Sequence, residues 1–239
     1  METNVYHISY HEGLKSAVLF FKGCNFRCKG CLRKTIKFDC HLNEEIKVDK
    51  IRFLRINEIV DILSQVDLKT LVFEGEEPTV DKNLGNLCKA IDDKLNVDKI
   101  LITNGYIMPP LCFEVVEISI KAITKKIHEY YTGRSNDRVL ENFRKCYELG
   151  ANLMAETVYI PNLVDLDEID KISRFIASVD PLIPLRIDAY WPVVKELPWR
   201  SPRREEILKA VEIAKRHLKN VKYLTSEFET IGKVYSLYP

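Results

Sequence analysis

Three cysteines lie within eight positions near the start of the sequence, in the segment GCNFRCKGC that runs from 23 to 31. Cys24, Cys28 and Cys31 put three thiolates in one tight loop, and the glycines let the backbone fold around an inorganic core. A [4Fe–4S] cluster ordinarily takes four cysteines, so three leave one iron open to a ligand that the protein does not supply. The spacing therefore favours an iron–sulfur cluster at which a cofactor can bind.

Two other interpretations of this loop remain open. One is a structural zinc site with Cys40 or His41 as the fourth ligand, and the other is a set of thiols without metal. Zinc sites usually pair two C-x2–4-C knuckles across a long spacer, and the second knuckle is missing here. The other cysteines, Cys88, Cys112 and Cys146, are solitary in apolar surroundings and are expected to be buried thiols.

The composition is that of an ordinary globular protein. The 239 residues are 46% apolar and 30% charged, which suits one large α/β domain. A net charge of +1 gives no clear signal for nucleic acid or for an anionic membrane. The apolar runs are too short to cross a bilayer and no signal peptide is recognisable, so we expect a cytoplasmic protein. A single domain over residues 1–239, with its core at about 16–224, is predicted.

Short apolar runs of strand type alternate with helical patterns about six times, which predicts βαβ units and a parallel sheet. Six such units form a partial (β/α)6 barrel of the TIM type, three-quarters of a full one. The last helix is expected to begin at Ser201 and Pro202. The predicted strands are 16–21, 70–74, 99–103, 115–121, 153–160, 185–190 and 221–224, and the predicted helices are 57–66, 81–94, 139–149, 165–178 and 201–218.

In barrels of this type the chemistry lies at the carboxyl ends of the strands, where the loops converge on one mouth. The sequence has polar or unusual residues at these ends, and we expect them to lie close together. They are the cysteine loop, Glu74-Gly75-Glu76-Glu77-Pro78, Thr103-Asn104-Gly105, Lys121 and Tyr190-Trp191-Pro192.

The cysteine motif after a first strand resembles the signature of the radical S-adenosylmethionine (SAM) superfamily. The segment from His128 to Asn142, H-x3-T-G-R-S-N-x2-V-L-E-N, resembles the branch of glycyl-radical-enzyme activases around pyruvate formate-lyase activating enzyme. The resemblance implies an oxidoreductase with a [4Fe–4S] cluster on Cys24, Cys28 and Cys31. It also implies that SAM chelates the open iron and is cleaved to methionine and a 5′-deoxyadenosyl radical, which abstracts hydrogen.

The resemblance also implies which residues hold SAM. Glu77 matches the acid of a G-G-E-P-like motif that meets the SAM ammonium, and Lys121 matches a D-x-K lysine for the SAM carboxylate. Taken alone, the acidic turn also suits a solvated loop, and Thr103-Asn104-Gly105 suits a structural turn. No catalytic residue is expected beyond the cluster and SAM. The expected cofactor-binding residues are Gly30, Gly75, Glu76, Glu77, Asn104, Ser119, Lys121 and Trp191.

The chain departs from the activases at several positions. Glu156 stands where they carry an arginine, Trp191 where they carry a SAM-contacting histidine, and Gly30 where an aromatic residue is usual. Three hypotheses follow: activation of a glycyl radical enzyme, modification of a small molecule, peptide or RNA base, and a non-catalytic iron–sulfur or zinc protein.

Basic residues surround the cysteine loop. Such a collar is expected to ease reduction of an anionic cluster and to dock an acidic electron donor such as flavodoxin or ferredoxin. A solvated charged face is the alternative. The residues are Lys22, Arg27, Lys29, Arg33, Lys34 and Lys37.

Overall fold

The computed structural model describes residues 1–43, 46, 50–225, 227 and 230–239. These residues form a nine-stranded sheet in the order β8-β7-β6-β5-β4-β3-β2-β1-β9. Strands β2 to β8 are parallel and neighbouring in chain order, whereas β1 lies antiparallel between β2 and β9. The strands are β1 Val5–His11, β2 Ser16–Phe21, β3 Thr70–Gly75, β4 Asp98–Thr103, β5 Val115–Ser119, β6 Leu153–Tyr159, β7 Leu185–Ala189, β8 Val221–Leu224 and β9 Val234–Tyr238.

Amphipathic helices cover one face of the sheet. In α5, Ile169, Ile172 and Ile176 recur at helical spacing and are fully buried in the core, each worth about 1.5–3 kcal/mol of burial. The Asp165 side chain begins this helix by accepting a hydrogen bond from Asp167 N. The helices are α1 Ile56–Leu63, α2 Leu84–Asp92, α3 Lys125–Thr132, α4 Asp137–Glu148, α5 Leu166–Val179 and α6 Arg204–Ala214.

The opposite face of the sheet lines the inside of the partial barrel. Because side chains alternate along a strand, each strand sends every second residue to this lumen. Near β1 to β3 the lumen is apolar, with Tyr6, Val18 and Phe20 packed against Phe38 and Phe53. Near β5 to β7 it is charged. The charged part lies below the loops that carry the cysteines.

The predicted fold class, a partial α/β barrel, is confirmed, and β2 and β8 have the predicted bounds. Three elements were missed: β1, β9 and the separate helix α3. The connection from β4 to β5, residues 104–114, contains no helix, so not every strand is followed by one.

The predicted start of the last helix at Ser201 and Pro202 is wrong. The helix begins at Arg204, because the Glu206 carboxylate folds back to accept the Arg203 N–H at 2.7 Å. Glu206 also pairs with Arg200, and this contact holds the preceding residues in an extended approach to the helix.

Candidate functional site

The cysteine loop follows β2 and is fastened to the end of α3. Arg27 N donates to Thr132 O at 2.8 Å, and Lys29 N donates to Tyr131 O at 2.9 Å. The Phe26 ring packs edge-on against His128, with ring centroids 5.5 Å apart. The segment that begins at His128 therefore holds the cysteine loop in place.

The thiols of Cys28 and Cys31 are partly buried, and Cys24, although exposed at its surface, is packed against the backbone of the loop. Burial raises the pKa of Cys24 to about 11 and that of Cys28 to about 12, and the neighbouring cysteines contribute to both shifts. Phe26 N donates to Cys24 Sγ at 3.3 Å. Thiolates here need a positive centre beside them, which is what a bound metal cluster supplies.

Cys40 and His41 do not join this loop. The Asp39 carboxylate contacts two imidazole nitrogens, Nδ1 of His41 and Nε2 of His11. His11 is the last residue of β1. Because β1 runs antiparallel to β2 and His11 pairs with Ser16, this group lies at the opposite end of β2 from Cys24. A zinc site made of the three loop cysteines and Cys40 or His41 is not assembled.

The acidic turn after β3 is engaged rather than solvated. Gly75 has φ +114°, and a Cβ there would lie 2.6 Å from Phe21 N, so only glycine fits. Glu76 accepts a hydrogen bond from Gly23 N at 2.8 Å and forms an ion pair with Lys22. The turn thus holds the start of the cysteine loop.

Glu77 is buried and accepts four hydrogen bonds. Its carboxylate accepts from Thr79 N at 3.1 Å, from both Thr79 Oγ1 and Thr103 Oγ1 at 2.6 Å, and from Asn104 N at 2.7 Å. Burial raises the pKa of Glu77, and the four donors act against that shift. Among the described residues it has no ion-pair partner.

Asn104 joins the end of β4 to the cysteine loop. Its Nδ2 donates to Asn25 Oδ1 at 2.7 Å and lies 3.7 Å from Cys24 Sγ, while its Oδ1 accepts from Tyr106 N at 3.0 Å. Two buried donors near the loop, Asn25 Nδ2 and Tyr190 Oη, have no partner in the described part of the chain. Such orphaned groups suit a site that holds a further polar group.

An aromatic group borders the loop on its other side. A Cβ on Gly30 would lie 2.8 Å from Cε2 of Tyr190, so the tyrosine ring occupies the space of a side chain at position 30. Trp199 packs against Tyr190 and Tyr131, with centroids 5.9 and 5.7 Å away. Trp191, in contrast, is 48% exposed. Trp199 was missed, because nothing in its local sequence distinguishes it.

Charged side chains fill the lumen below the loop. Lys121 Nζ lies 3.1 Å from Glu156 Oε2, and Ser119 is the register partner of Glu156 in the neighbouring strand. Burial opposes the charge of both partners, but each holds the other ionised: the pKa of Glu156 is lowered and that of Lys121 is raised. Position 156, an arginine in the activases, is here the counter-ion of Lys121.

A second ion group lies beside the first. The Arg186 guanidinium lies 3.0 Å from Glu117 and 2.8 Å from Asp188. Burial raises the pKa of Glu117 to about 7 and that of Asp188 to about 6. These residues were missed, although charged residues at alternate positions of apolar strands are a signal of a polar lumen.

None of the helices in the described ranges is long and apolar enough to span a membrane.

A family model, the radical SAM superfamily, matches residues 18–176. The chain belongs to the radical SAM superfamily. Its members use a [4Fe–4S] cluster and SAM, and the chain is therefore an enzyme of this kind, as predicted.

Two proteins similar to this radical SAM chain are described with different activities. A Methanocaldococcus jannaschii protein described as a candidate glycyl-radical enzyme activating enzyme is 34% identical over 225 residues, covering 90% of this chain and 82% of its own length. The GTP 3′,8-cyclase of Clostridium perfringens strain 13 is 25% identical over 210 residues, covering 84% of this chain and 62% of its own length.

A solved structure supports the radical SAM fold. Streptococcus suis SuiB bound to S-adenosylmethionine has a TM-score of 0.63 to this chain, with 17% identity, and the match covers 85% of this chain and 48% of SuiB. The chain thus spans about half the length of SuiB, and the likeness is one of fold.

Proposed function

We propose that Cys24, Cys28 and Cys31 hold the [4Fe–4S] cluster and that the enzyme activates a partner protein by removing a hydrogen atom from a backbone glycine. The observation that carries the assignment of the cluster to this loop is its fastening on three sides, to the end of α3, to Glu76 and to Asn104. When bound, the cluster and SAM would supply the electron and the hydrogen-abstracting group. The chain's own residues bind, orient and shield them.

The strand ends offer complementary groups for SAM. We assign the SAM ammonium to the side of Glu77, a buried carboxylate without an ion-pair partner among the described residues, and the SAM carboxylate to Lys121. Gly75, Glu76 and Asn104 shape the loop beside the ammonium. Glu156 orients Lys121 through their ion pair, and Ser119 lies beside Glu156 in the neighbouring strand.

The flanks of the SAM site would come from the other expected residues. Gly30 leaves room for the Tyr190 ring to close the pocket. The Tyr190 hydroxyl, which has no partner among the described residues, would bond to SAM. Trp191, half-exposed at the end of β7, would form the outer rim. In this arrangement no further side chain needs to act as acid or base.

The activating role rests on the similarity to the M. jannaschii protein and on the activase-like segment from His128. A second candidate is a small polar substrate held in the lumen. The charged group of Glu117, Arg186 and Asp188 favours it, since a glycine residue carries no side-chain charge to complement these groups. The similarity to GTP 3′,8-cyclases agrees with this candidate.

The electron would come from an acidic protein such as flavodoxin or ferredoxin. The Arg33 guanidinium pairs with the Glu74 carboxylate at 2.7 Å and is therefore not part of the exposed basic surface. Three other basic residues around the loop are exposed, namely Arg27, Lys34 and Lys37. These three charges would steer an acidic donor toward the cluster. Such a reducing partner and the free cysteines suit the cytoplasm, where we place the enzyme.

Anaerobic reconstitution tests the common chemistry. We expect about four irons per chain, and release of 5′-deoxyadenosine from SAM after reduction, in the wild type and in Cys112→Ser, which alters a cysteine outside the loop. Cys24→Ser is expected to abolish both. Full SAM cleavage by Cys24→Ser would contradict the ligand assignment.

A second assay separates the two substrates. Incubation with glycyl radical enzymes from the same source should produce a glycyl radical signal in electron paramagnetic resonance. Arg186→Lys is expected to leave that signal within about twofold if the substrate is a protein glycine. If the substrate is small and polar, no glycyl signal forms, and nucleotide substrates are consumed by the wild type only.

A further inference from the structure

A cluster of metal-binding side chains lies at the end of the sheet opposite the cysteine loop. His11 ends β1, and Asp39 and His41 belong to the segment that follows the cysteine loop. One ligand atom from each of the three residues lies within 4.8 Å of the other two. No residue of this group contributes to the site described above.

The Asp39 carboxylate stands between the two imidazoles. His11 Nε2 lies 2.8 Å from Oδ2, and His41 Nδ1 lies 3.0 Å from Oδ1. Tetrahedral zinc with ligand bonds of about 2.0–2.2 Å separates its ligand atoms by roughly 3.3 Å. Each nitrogen–oxygen pair would therefore open by a few tenths of an ångström to accept an ion, and one ligand atom of each residue already lies within 4.8 Å of the others.

Outer hydrogen bonds fix the carboxylate in place. Ser9 Oγ donates to Asp39 Oδ2 at 2.5 Å, and His41 N donates to Oδ1 at 2.9 Å. Metal sites depend on such partners, which orient the ligands before the ion binds. The His41 side chain is 44% exposed, which leaves a path from solvent to the site.

An ordinary histidine–aspartate pair elsewhere in the chain looks different. His217 Nε2 lies 2.8 Å from Asp170 Oδ1, but the other oxygen of Asp170 pairs with Arg174 at 2.6 Å. Asp39 has no lysine or arginine ion pair among the described residues, and both of its oxygens face imidazole nitrogens. A divalent cation could take the place of the imidazole protons in this arrangement, since metal ligands bind in their deprotonated form.

We propose that His11, Asp39 and His41 bind one Zn²⁺ ion, which clamps the segment after the cysteine loop to β1. Two imidazoles and one carboxylate suit zinc among the common cations, whereas magnesium and calcium take oxygen ligands. The fourth position is open to water or to Cys40, whose Sγ lies 3.6 Å from His41 Nδ1. The proposal does not depend on the reaction at the cysteine loop.

Metal analysis of tag-free holoenzyme tests the site. After addition of one equivalent of ZnCl2 and desalting, we expect about one zinc per chain beside the iron of the cluster. His41→Ala should lose the zinc and keep the iron. Its affinity, measured by competition with a chromogenic chelator, should fall more than about 100-fold, since outer-shell partners alone are worth about 10- to 100-fold. His217→Ala is the matched control and should keep its zinc.

Two further variants protect the test against misfolding and misplacement. Asp39→Asn keeps the shape of the buried side chain, and should weaken zinc binding at least about tenfold with an unchanged circular dichroism spectrum. A Cys24→Ser/Cys28→Ser/Cys31→Ser variant should still bind one zinc. The proposal is overturned if the holoenzyme keeps no zinc, if His41→Ala keeps it, or if the triple cysteine variant loses it.

Discussion

Replacement of Glu77 by glutamine tests how the site is held together. The carboxylate accepts hydrogen bonds from Thr79 N, from two threonine hydroxyls and from Asn104 N. A glutamine amide has one oxygen and one NH2 group, so its oxygen can face either Thr79 N or Asn104 N. The hydroxyls can rotate and accept from the NH2 group, but one backbone N–H stays unpaired in either orientation.

The one unpaired backbone N–H sets the expected loss of local stability. An unsatisfied buried N–H costs about 1–3 kcal/mol, and loss of the charged acceptor weakens the remaining bonds further, so we expect a local loss of about 2–4 kcal/mol. At 1.4 kcal/mol per factor of ten, this corresponds to roughly 30- to 700-fold faster opening of the β3 and β4 ends.

Hydrogen–deuterium exchange followed by mass spectrometry measures this opening. Peptides that contain Thr79 and Asn104 should exchange faster in Glu77→Gln, while peptides from α5 should not change. Glu76→Gln is the matched control: its amide oxygen can still accept from Gly23 N, and the lost ion pair with half-exposed Lys22 is worth at most about 1 kcal/mol. Equal exchange in the two variants would refute the reasoning.

Three further outcomes are expected. Glu117→Gln should flatten the pH dependence of the free energy of unfolding, which urea unfolding at pH 5 and 7.5 measures. In the wild type the pKa of Glu117 is raised from 4.5 to about 7, so the protein loses up to about 3 kcal/mol of stability as the pH rises from 4.5 to 7. An unchanged slope in the variant contradicts this. Gly30→Ala should lower the iron content of the reconstituted protein, because its Cβ crowds the Tyr190 ring at a cost of about 1–3 kcal/mol. Adding Tyr190→Leu to Gly30→Ala should restore the iron content, and an unrestored iron content would exclude the contact. Gly75→Ala should destabilise more than Gly30→Ala in thermal unfolding, because its Cβ meets Phe21 backbone and its φ is positive; the reverse order would be inconsistent with this geometry.

The local patterns of the sequence were sufficient for much of the architecture. The strands β2 and β8 have the predicted bounds, because apolar runs of β-branched and aromatic residues are bounded by polar turns. Strand β1 was missed for a physical reason. Its residues His7, Ser9 and His11 are polar but buried, since they face the segment that follows the cysteine loop rather than solvent.

The role of the activase-like segment also needed the structure. Its sequence indicated a resemblance to the activases, and the structure shows that the backbone carbonyls of Tyr131 and Thr132 hold the cysteine loop. Backbone hydrogen bonds carry no mark in the identity of a side chain. A resemblance between sequences can therefore identify such a segment without showing what it contacts.

The sequence by itself determined the superfamily, through the three-cysteine motif, and the repeated strand–helix pattern, because both depend on residues close together along the chain. Only the tertiary structure decided which distant residues meet. Glu117 and Arg186 come from different strands, and His11 meets Asp39 from a separate segment of the chain. Such pairs form because sheet order and side-chain alternation bring them to one face, and no local pattern specifies that meeting.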